Sequence, residues 1–250
     1  MTTFRIYPLL CGHVINHEFS SFVYRRDYGG RRFDAPCTAW LLRGGSEDIL
    51  VDTGPGPQTR APQHYRKDDA AITEHLPNAL NKLDSDPARI RTVILTHLHN
   101  DHVGGAHLFP NAHFHVQEAE LREAVWPVPF QRPIYEINQP GRTPPWTTIL
   151  DRMTVHTGDS DITPGLRTIL LPGHTGGSQG VLVNTEAGPY LLPGDLVPLY
   201  DNWPADGPPI PNGNHTDLYA YERSFQRLRQ LAAHILPSHD PRVFDRPCYP

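Results

Sequence analysis

Apolar residues along this chain fall in short runs, with turn residues between them. Residues 4–10 predict a first strand. The stretch 11–36 mixes polar residues with Phe19, Phe22, Tyr24, Tyr28 and Phe33 and is expected as a large loop or hairpin. Runs at 39–43 and 48–51, separated by Gly44-Gly45, predict two strands, the second ending in the turn Asp52-Thr53-Gly54-Pro55-Gly56. The segment 57–69 is polar and uninformative. A helix is predicted over 74–83 with Thr73 as its N-cap and Pro77 near its start. Strands follow at 92–96 and 113–116, then a helix over 118–125. The Pro- and aromatic-rich stretch 126–146 predicts no regular element. Further strands are expected at 166–171, 180–184, 190–192 and 235–236. The last helix spans 218–232, where Leu218, Tyr221, Phe225 and Leu228 share a face. Two groups of strands with flanking helices fit an α/β layered domain.

Composition narrows the function classes. At 250 residues, with 38% hydrophobic and 20% charged, one folded domain over 1–250 is expected. No apolar run reaches the ~18 residues of a membrane span, and the opening residues carry no secretory apolar region. A net charge of −5 opposes binding to nucleic acid or to an anionic membrane. The three cysteines, Cys11, Cys37 and Cys248, form no disulfide framework and suit a cytoplasmic location. Cys11 and Cys37 are assigned no role. The cations are nearly all arginine, with Lys67 and Lys82 the two lysines; no function is read from that bias.

The 15 histidines change the picture, because imidazole is the commonest metal ligand near neutral pH. Thr96-His97-Leu98-His99-Asn100-Asp101-His102-Val103-Gly104-Gly105 follows the strand at 92–96. In extended chain, residues two apart point the same way, so His97 and His99 face one point. Asp101 and His102 turn the other way as the chain enters a helix. Gly104-Gly105 lets backbone pass close by. Four more strand-end turns carry ligand-type residues: Asp52-Thr53-Gly54, Pro172-Gly173-His174-Thr175, Pro193-Gly194-Asp195 and Pro237-Ser238-His239-Asp240. Five imidazoles and two carboxylates suit Zn²⁺, and also Fe²⁺, Mn²⁺ or Co²⁺. His107, His113 and His115 lie near the motif but are read as bystanders, as are His13, His64, His75, His156 and His234.

With its His-x-His-x-Asp-His motif and the later His174, Asp195 and His239 in order, the sequence resembles the metallo-β-lactamase superfamily over roughly residues 38–240. The resemblance implies an αβ/βα four-layer sandwich with a dinuclear metal site at one edge. It implies His97, His99 and His174 for one metal, Asp101, His102 and His239 for the other, and Asp195 as the bridge. Asp52 would support a ligand histidine from behind.

Within the superfamily, Ser238-His239-Asp240 followed by Arg242-Val243-Phe244 looks like the N-acyl homoserine lactonases. So do Cys11-Gly12, Asn16-His17, the strand around Trp40, and Gln179 after Gly176-Gly177-Ser178. That resemblance implies two divalent metals, most simply Zn²⁺, and opening of a lactone ring by a bridging hydroxide, with Asp101 as proton shuttle. Stretches 11–36 and 126–146 would be the substrate loop and lid. Phe19, Phe22, Trp126 and Trp203 are the expected substrate contacts. The family's substrate tyrosine, three residues after the bridging Asp, is Pro198 here, and Tyr200 is the expected replacement. Other lactones, esters, thioesters and amides are alternative substrates of the same chemistry. A mononuclear iron persulfide dioxygenase is the alternative of another class. Related enzymes are commonly dimeric, so a homodimer is an expectation from the resemblance alone.

Overall fold

The structure, a computed structural model, describes residues 2–56 and 72–250. The polar segment 57–69, with His64, lies outside the described residues, as does any side-chain cap from Thr73. Six strands make the first sheet: β1 (Arg5–Glu18), β2 (Arg32–Arg43), β3 (Ile49–Val51), β4 (Thr92–Ile94), β5 (His113–Gln117) and β6 (Met153–His156), in that spatial order. β1, β2 and β3 pair antiparallel, and β3 to β6 run parallel. The second sheet has the order β11-β10-β9-β8-β7, built from β7 (Ser160–Thr163), β8 (Leu166–Leu170), β9 (Gln179–Thr185), β10 (Gly188–Leu192) and β11 (His234–Ile235). The helices are α1 (Ile72–Asn81), the single turn α2 (Asn100–Val103), α3 (Glu118–Val125) and α4 (Leu218–Leu231).

Period-two alternation divides the core into layers. Trp40, Leu42, Ile49, Val51 and Ile94 face the second sheet, where they meet Leu166, Val181, Val183 and Leu192. Their neighbours Ala39, Leu41, Leu50, Val93 and Leu95 face outward onto Leu76 and Leu80 of α1, Phe109, Trp146 and Ile149. Both faces of the central strands are covered, which is why their sequences are continuously apolar. Behind the second sheet, Tyr221, Phe225 and Leu228 of α4 pack on Ile169, Leu171 and Leu191. Each such side chain contributes roughly 1.5–3 kcal/mol on burial. The result is the expected αβ/βα sandwich. Among the described residues, no helix is long and apolar enough to cross a membrane.

Several elements differ from the sequence reading, each for a local reason. The first strand continues from Leu10 to Glu18, and its partner starts at Arg32, so 11–36 forms the expected hairpin, its strands joined by a long connection over 19–31. Irregularities between Leu10 and Gly12, and between Val14 and His17, break the alternation that would have marked this strand. α1 begins at Ile72 and ends at Asn81, two residues earlier than predicted at each end. β6 and β7 are polar sheet-edge strands with no apolar run. In α4, Leu218 is exposed rather than buried. It is the first helical residue, where Asp217 caps Tyr219 N–H and Ala220 N–H. Residues 126–144 are irregular, as expected.

Past β4, Leu95 N–H still donates to the His115 carbonyl, but Thr96 turns to accept from Gln179 N–H of the second sheet. The Gln179 side-chain amide donates to the carbonyls of Leu95 and His115. The sheets are therefore stitched together where the motif begins.

Candidate metal centre

All the ligand-type residues converge at this stitched edge, each on the turn that follows a strand. His97 Nε2 lies 3.1 Å from His99 Nδ1, which is 3.0 Å from His174 Nε2. The period-two prediction for His97 and His99 holds, and His174 completes a buried triad. Asp195 stands between this triad and a second group. Its Oδ2 lies 3.5 Å from His174 Nε2, and its Oδ1 lies 3.2 Å from His102 Nε2 and 3.0 Å from His239 Nε2. Asp101 Oδ2 closes the second group, 3.8 Å from His102 Nε2 and 3.7 Å from His239 Nε2.

The far nitrogen of several rings is held. His239 Nδ1 faces the Pro36 carbonyl at 2.8 Å, and His174 Nδ1 faces the Asn214 carbonyl at 2.6 Å. His102 Nδ1 lies 2.8 Å from Asp52 Oδ2. Each such contact makes Nδ1 the protonated nitrogen and leaves Nε2 a lone pair for the centre. Asp52 in turn accepts from Thr96 N–H at 2.7 Å and from Thr96 Oγ1 at 2.8 Å. The motif glycines are required by close approach. A Cβ on Gly104 would stand 2.1 Å from Gly56 N and 2.5 Å from the Asn100 carbonyl.

Electrostatics separate the two groups. Burial, followed by the charge of neighbouring rings, holds His97 and His99 well below the usual histidine range, and burial lowers His174. The shift favours the neutral, electron-donating form of these three rings. Burial alone would also lower His102 and His239, but the negative charge of Asp195, then of Asp101, raises both. Reciprocally, His239 and His102 outweigh burial at Asp195 and hold its carboxyl well below the usual range.

The donor set fits divalent metal. Two nitrogens on one tetrahedral zinc, with bonds of ~2.0–2.1 Å, stand about 3.3–3.5 Å apart; the triad spacings are 3.0–3.1 Å. His102 Nε2 and His239 Nε2 are buried and make no hydrogen bond, although Asp195 Oδ1 lies close by. Lone pairs aimed at a shared point, rather than at a donor, are what a cation requires.

A cleft of about 190 Å³ opens over the cluster, lined among others by Val14, Phe22, Ile134, Asn212, Asp101 and Asp195. Of the residues expected at the substrate, Phe22 lines the cleft, and its ring lies 5.1 Å from that of His239. Phe19 instead packs inward against Tyr28 and Phe33, one layer behind the cleft. Trp126 is 81% exposed and does not line the cleft, so the lid expected at 126–146 contributes Pro133 and Ile134 instead. Trp203 packs at a tilt on Phe225 of α4. Tyr200 is not a cleft residue either. Its backbone is pinned to Asp240, Arg242 lies over its ring, and it packs in the core between the sheets.

The sequence reading missed a buried support. Glu120 at the start of α3 accepts from Leu98 N–H and Tyr135 O–H through Oε1, and from Thr175 O–H through Oε2. It thereby ties the His97–His99 turn to the His174 turn. Burial pushes its carboxyl up to about 7. Gly177 permits the approach, since a Cβ there would stand 1.9 Å from Glu120 N, but nothing in the sequence singles out Glu120. Asn212 was also missed: its Nδ2 donates to the Asp195 carbonyl, and nothing in the sequence marks it. His115 and His156 stack on one another on β5 and β6 and stay outside the cluster.

Residues 32–239 match the metallo-beta-lactamase superfamily. The chain is 32% identical to the N-acyl homoserine lactonase AttM of Azorhizobium caulinodans over 266 aligned positions, covering 96% of this chain and 95% of that one. Among solved structures it is similar to a quorum-quenching N-acyl homoserine lactone lactonase, with TM-score 0.76 at 24% identity, covering 97% and 94% of the two chains. It is similar also to an N-acyl homoserine lactone hydrolase with the product N-hexanoyl-L-homoserine bound at its catalytic metal centre, with TM-score 0.75 at 22% identity, covering 98% and 96%. The fold, the buried His/Asp cluster and these likenesses agree: the chain is a metal-dependent hydrolase related to the N-acyl homoserine lactonases, and it belongs to the metallo-β-lactamase superfamily.

Proposed function

We propose that this protein opens the ring of N-acyl homoserine lactones, the reaction of quorum quenching, at a dinuclear zinc centre. His97, His99 and His174 would hold one metal, Asp101, His102 and His239 the other, with Asp195 between the two groups. The observation that carries the reading is Asp195, whose two carboxylate oxygens face the two groups separately at 3.5 Å and 3.0–3.2 Å. The zinc pair supplies Lewis acidity toward a carbonyl and lowers the pKa of a water toward ~7.

The chain's own residues do the rest. Asp101 lines the cleft and is the least buried of the seven ligands, so its carboxylate takes the proton of the attacking water and returns it to the leaving alkoxide. Water adds to the ring carbonyl carbon, the ring C–O bond breaks, and the product is a hydroxy acid. Phe22, Val14 and Ile134 give the cleft an apolar wall for an acyl chain. With Tyr200 outside the cleft, the family tyrosine's place beside the carbonyl is not refilled from that loop.

The test is acid release from a short- and a long-chain N-acyl homoserine lactone by zinc-loaded protein, with His99→Ala as control. Turnover by the loaded protein, lost together with metal in His99→Ala, is the expected result. Turnover surviving in metal-free His99→Ala overturns the mechanism. Two bound metals without turnover overturns the substrate and moves the search to other lactones, esters, thioesters and amides.

A further inference from the structure

We infer that Asn100 is a specificity-determining residue: its side-chain amide pairs with the acyl amide of the substrate and selects N-acyl homoserine lactones over lactones that lack one. The inference rests on the lactone-opening reading above. Asn100 stands between His99 and Asp101, at the first position of α2. It is 8% exposed and lines the cleft. Its backbone is engaged on both sides: its N–H donates to the Ile134 carbonyl at 3.1 Å, and its carbonyl accepts from Gly104 N–H at 3.1 Å. Among the described residues, its carboxamide makes no hydrogen bond. Buried amides are nearly always paired, and an unpaired one is destabilising, so this one calls for a partner that a ligand brings.

Asn212, on the same cleft, is the internal contrast. It is equally buried, but its Nδ2 donates to the Asp195 carbonyl at 3.1 Å and its Oδ1 accepts from Asn214 N–H at 2.9 Å. Ser21 Oγ likewise donates to the Glu18 carbonyl, and Asn214 is only half-buried, within reach of water. Nor does Asn100 serve the end of α2. Asparagine stabilises a helix start from the cap position, and the cap here is His99. A carboxamide offers both a donor and an acceptor. The substrate's acyl amide offers the same two, and it sits on the ring carbon beside the reacting carbonyl. Asn100 is next in sequence to a ligand of each group, so a ring carbonyl at the centre places the acyl amide beside it. Ile134, whose carbonyl holds Asn100, continues the wall along the acyl chain. A plain alkyl lactone in the same place leaves the Asn100 donor and acceptor unpaired, which such a site penalises.

The test is a cycle of two substrates and two zinc-loaded proteins. The substrates are N-hexanoyl homoserine lactone and α-heptyl-γ-butyrolactone, which matches it in ring and chain length and has no amide. The proteins are the unaltered chain and Asn100→Leu, which nearly keeps the side-chain volume and removes donor and acceptor. Asn100→Leu should lower kcat/KM for the N-acyl substrate about 10-fold more than for the alkyl lactone, mainly through KM. An equal change for the two substrates overturns the role of Asn100 and leaves the lactonase reading standing. Disturbance of the metal turn would produce that equal change, and zinc content of the same samples would fall with it. Asn100→Ala, which adds no bulk, should show the same difference and replaces the leucine variant if that does not fold. If neither folds, the unaltered chain decides: each substrate's kcat/KM is divided by its rate with hydroxide, and no preference for the amide overturns the pairing. Turnover of the alkyl lactone alone overturns both the pairing and the proposed substrate. No turnover of either overturns lactone opening, and the pairing falls with it.

Discussion

Asp52 Oδ2 lies 2.8 Å from His102 Nδ1, and Asp52 adopts a left-handed backbone, φ 57°, at the end of β3. Aspartate tolerates that conformation better than most residues. The contact sets the tautomer of His102 from behind. Asp52→Asn should preserve the fold and weaken metal binding about 10–100-fold, the usual effect of losing such a support. Chelator competition beside a far-ultraviolet spectrum checks it; unchanged affinity would show that Asp52 serves only the turn.

The two ligand groups should differ in their proton bookkeeping. Burial, then neighbouring rings, lower His97, His99 and His174 below the ordinary histidine range, so they favour the neutral form. Metal entering the triad should release almost no ring protons. Asp195, then Asp101, raise His102 and His239, so these two rings hold a proton more readily than the triad does. Filling that position should release more protons than filling the triad, and its affinity should rise more steeply with pH. Calorimetry in buffers of different ionisation enthalpy distinguishes the two steps.

Glu120 gives a stability prediction with a definite sign. Its carboxyl is raised from 4.5 to about 7 in the folded protein. Its favourable contribution is therefore complete below pH ~4.5 and is lost as the pH rises through 7. Glu120→Gln removes that loss while keeping an oxygen for Leu98 N–H and Tyr135 O–H. The stability of the variant relative to the unaltered chain should rise by about 3 kcal/mol between pH 4.5 and pH 8. Urea unfolding of the metal-free proteins measures it; a pH-independent difference would contradict the buried titration.

Phe22 and Tyr200 should behave in opposite ways. Phe22→Ala removes an aromatic wall of the cleft, so KM for a long-chain substrate should rise roughly 10-fold, with less effect on a short one. Tyr200→Phe should leave kcat and KM within about 2-fold, since its ring packs under Arg242 outside the cleft. A large fall in kcat for Tyr200→Phe would mean the loop from 198 to 203 reshapes around substrate.

The metal cluster was legible in sequence because its geometry is local. The alternation that makes β4 a buried strand also points His97 and His99 together, and Pro-Gly turns mark the other strand ends. The cleft wall was not legible, because it is assembled by packing between distant loops. Trp126 and Trp203 look like ligand-binding aromatics in one dimension, yet one is solvent-facing and the other lies against α4. Val14, Ile134 and Asn212 look ordinary and line the cleft. The hold of the Pro36 carbonyl on His239 was not legible either, because it exists only once β2 and the segment after β11 meet.

That meeting has a consequence for biogenesis. The orientation of His239 depends on the Pro36 carbonyl, 203 positions earlier in the chain. A nascent chain that has not yet emitted its last strand and turn has the triad residues but cannot assemble the second position. The second ligand group would therefore be complete only in chains whose two sheets have closed on each other, so any metal it takes up would record finished folding.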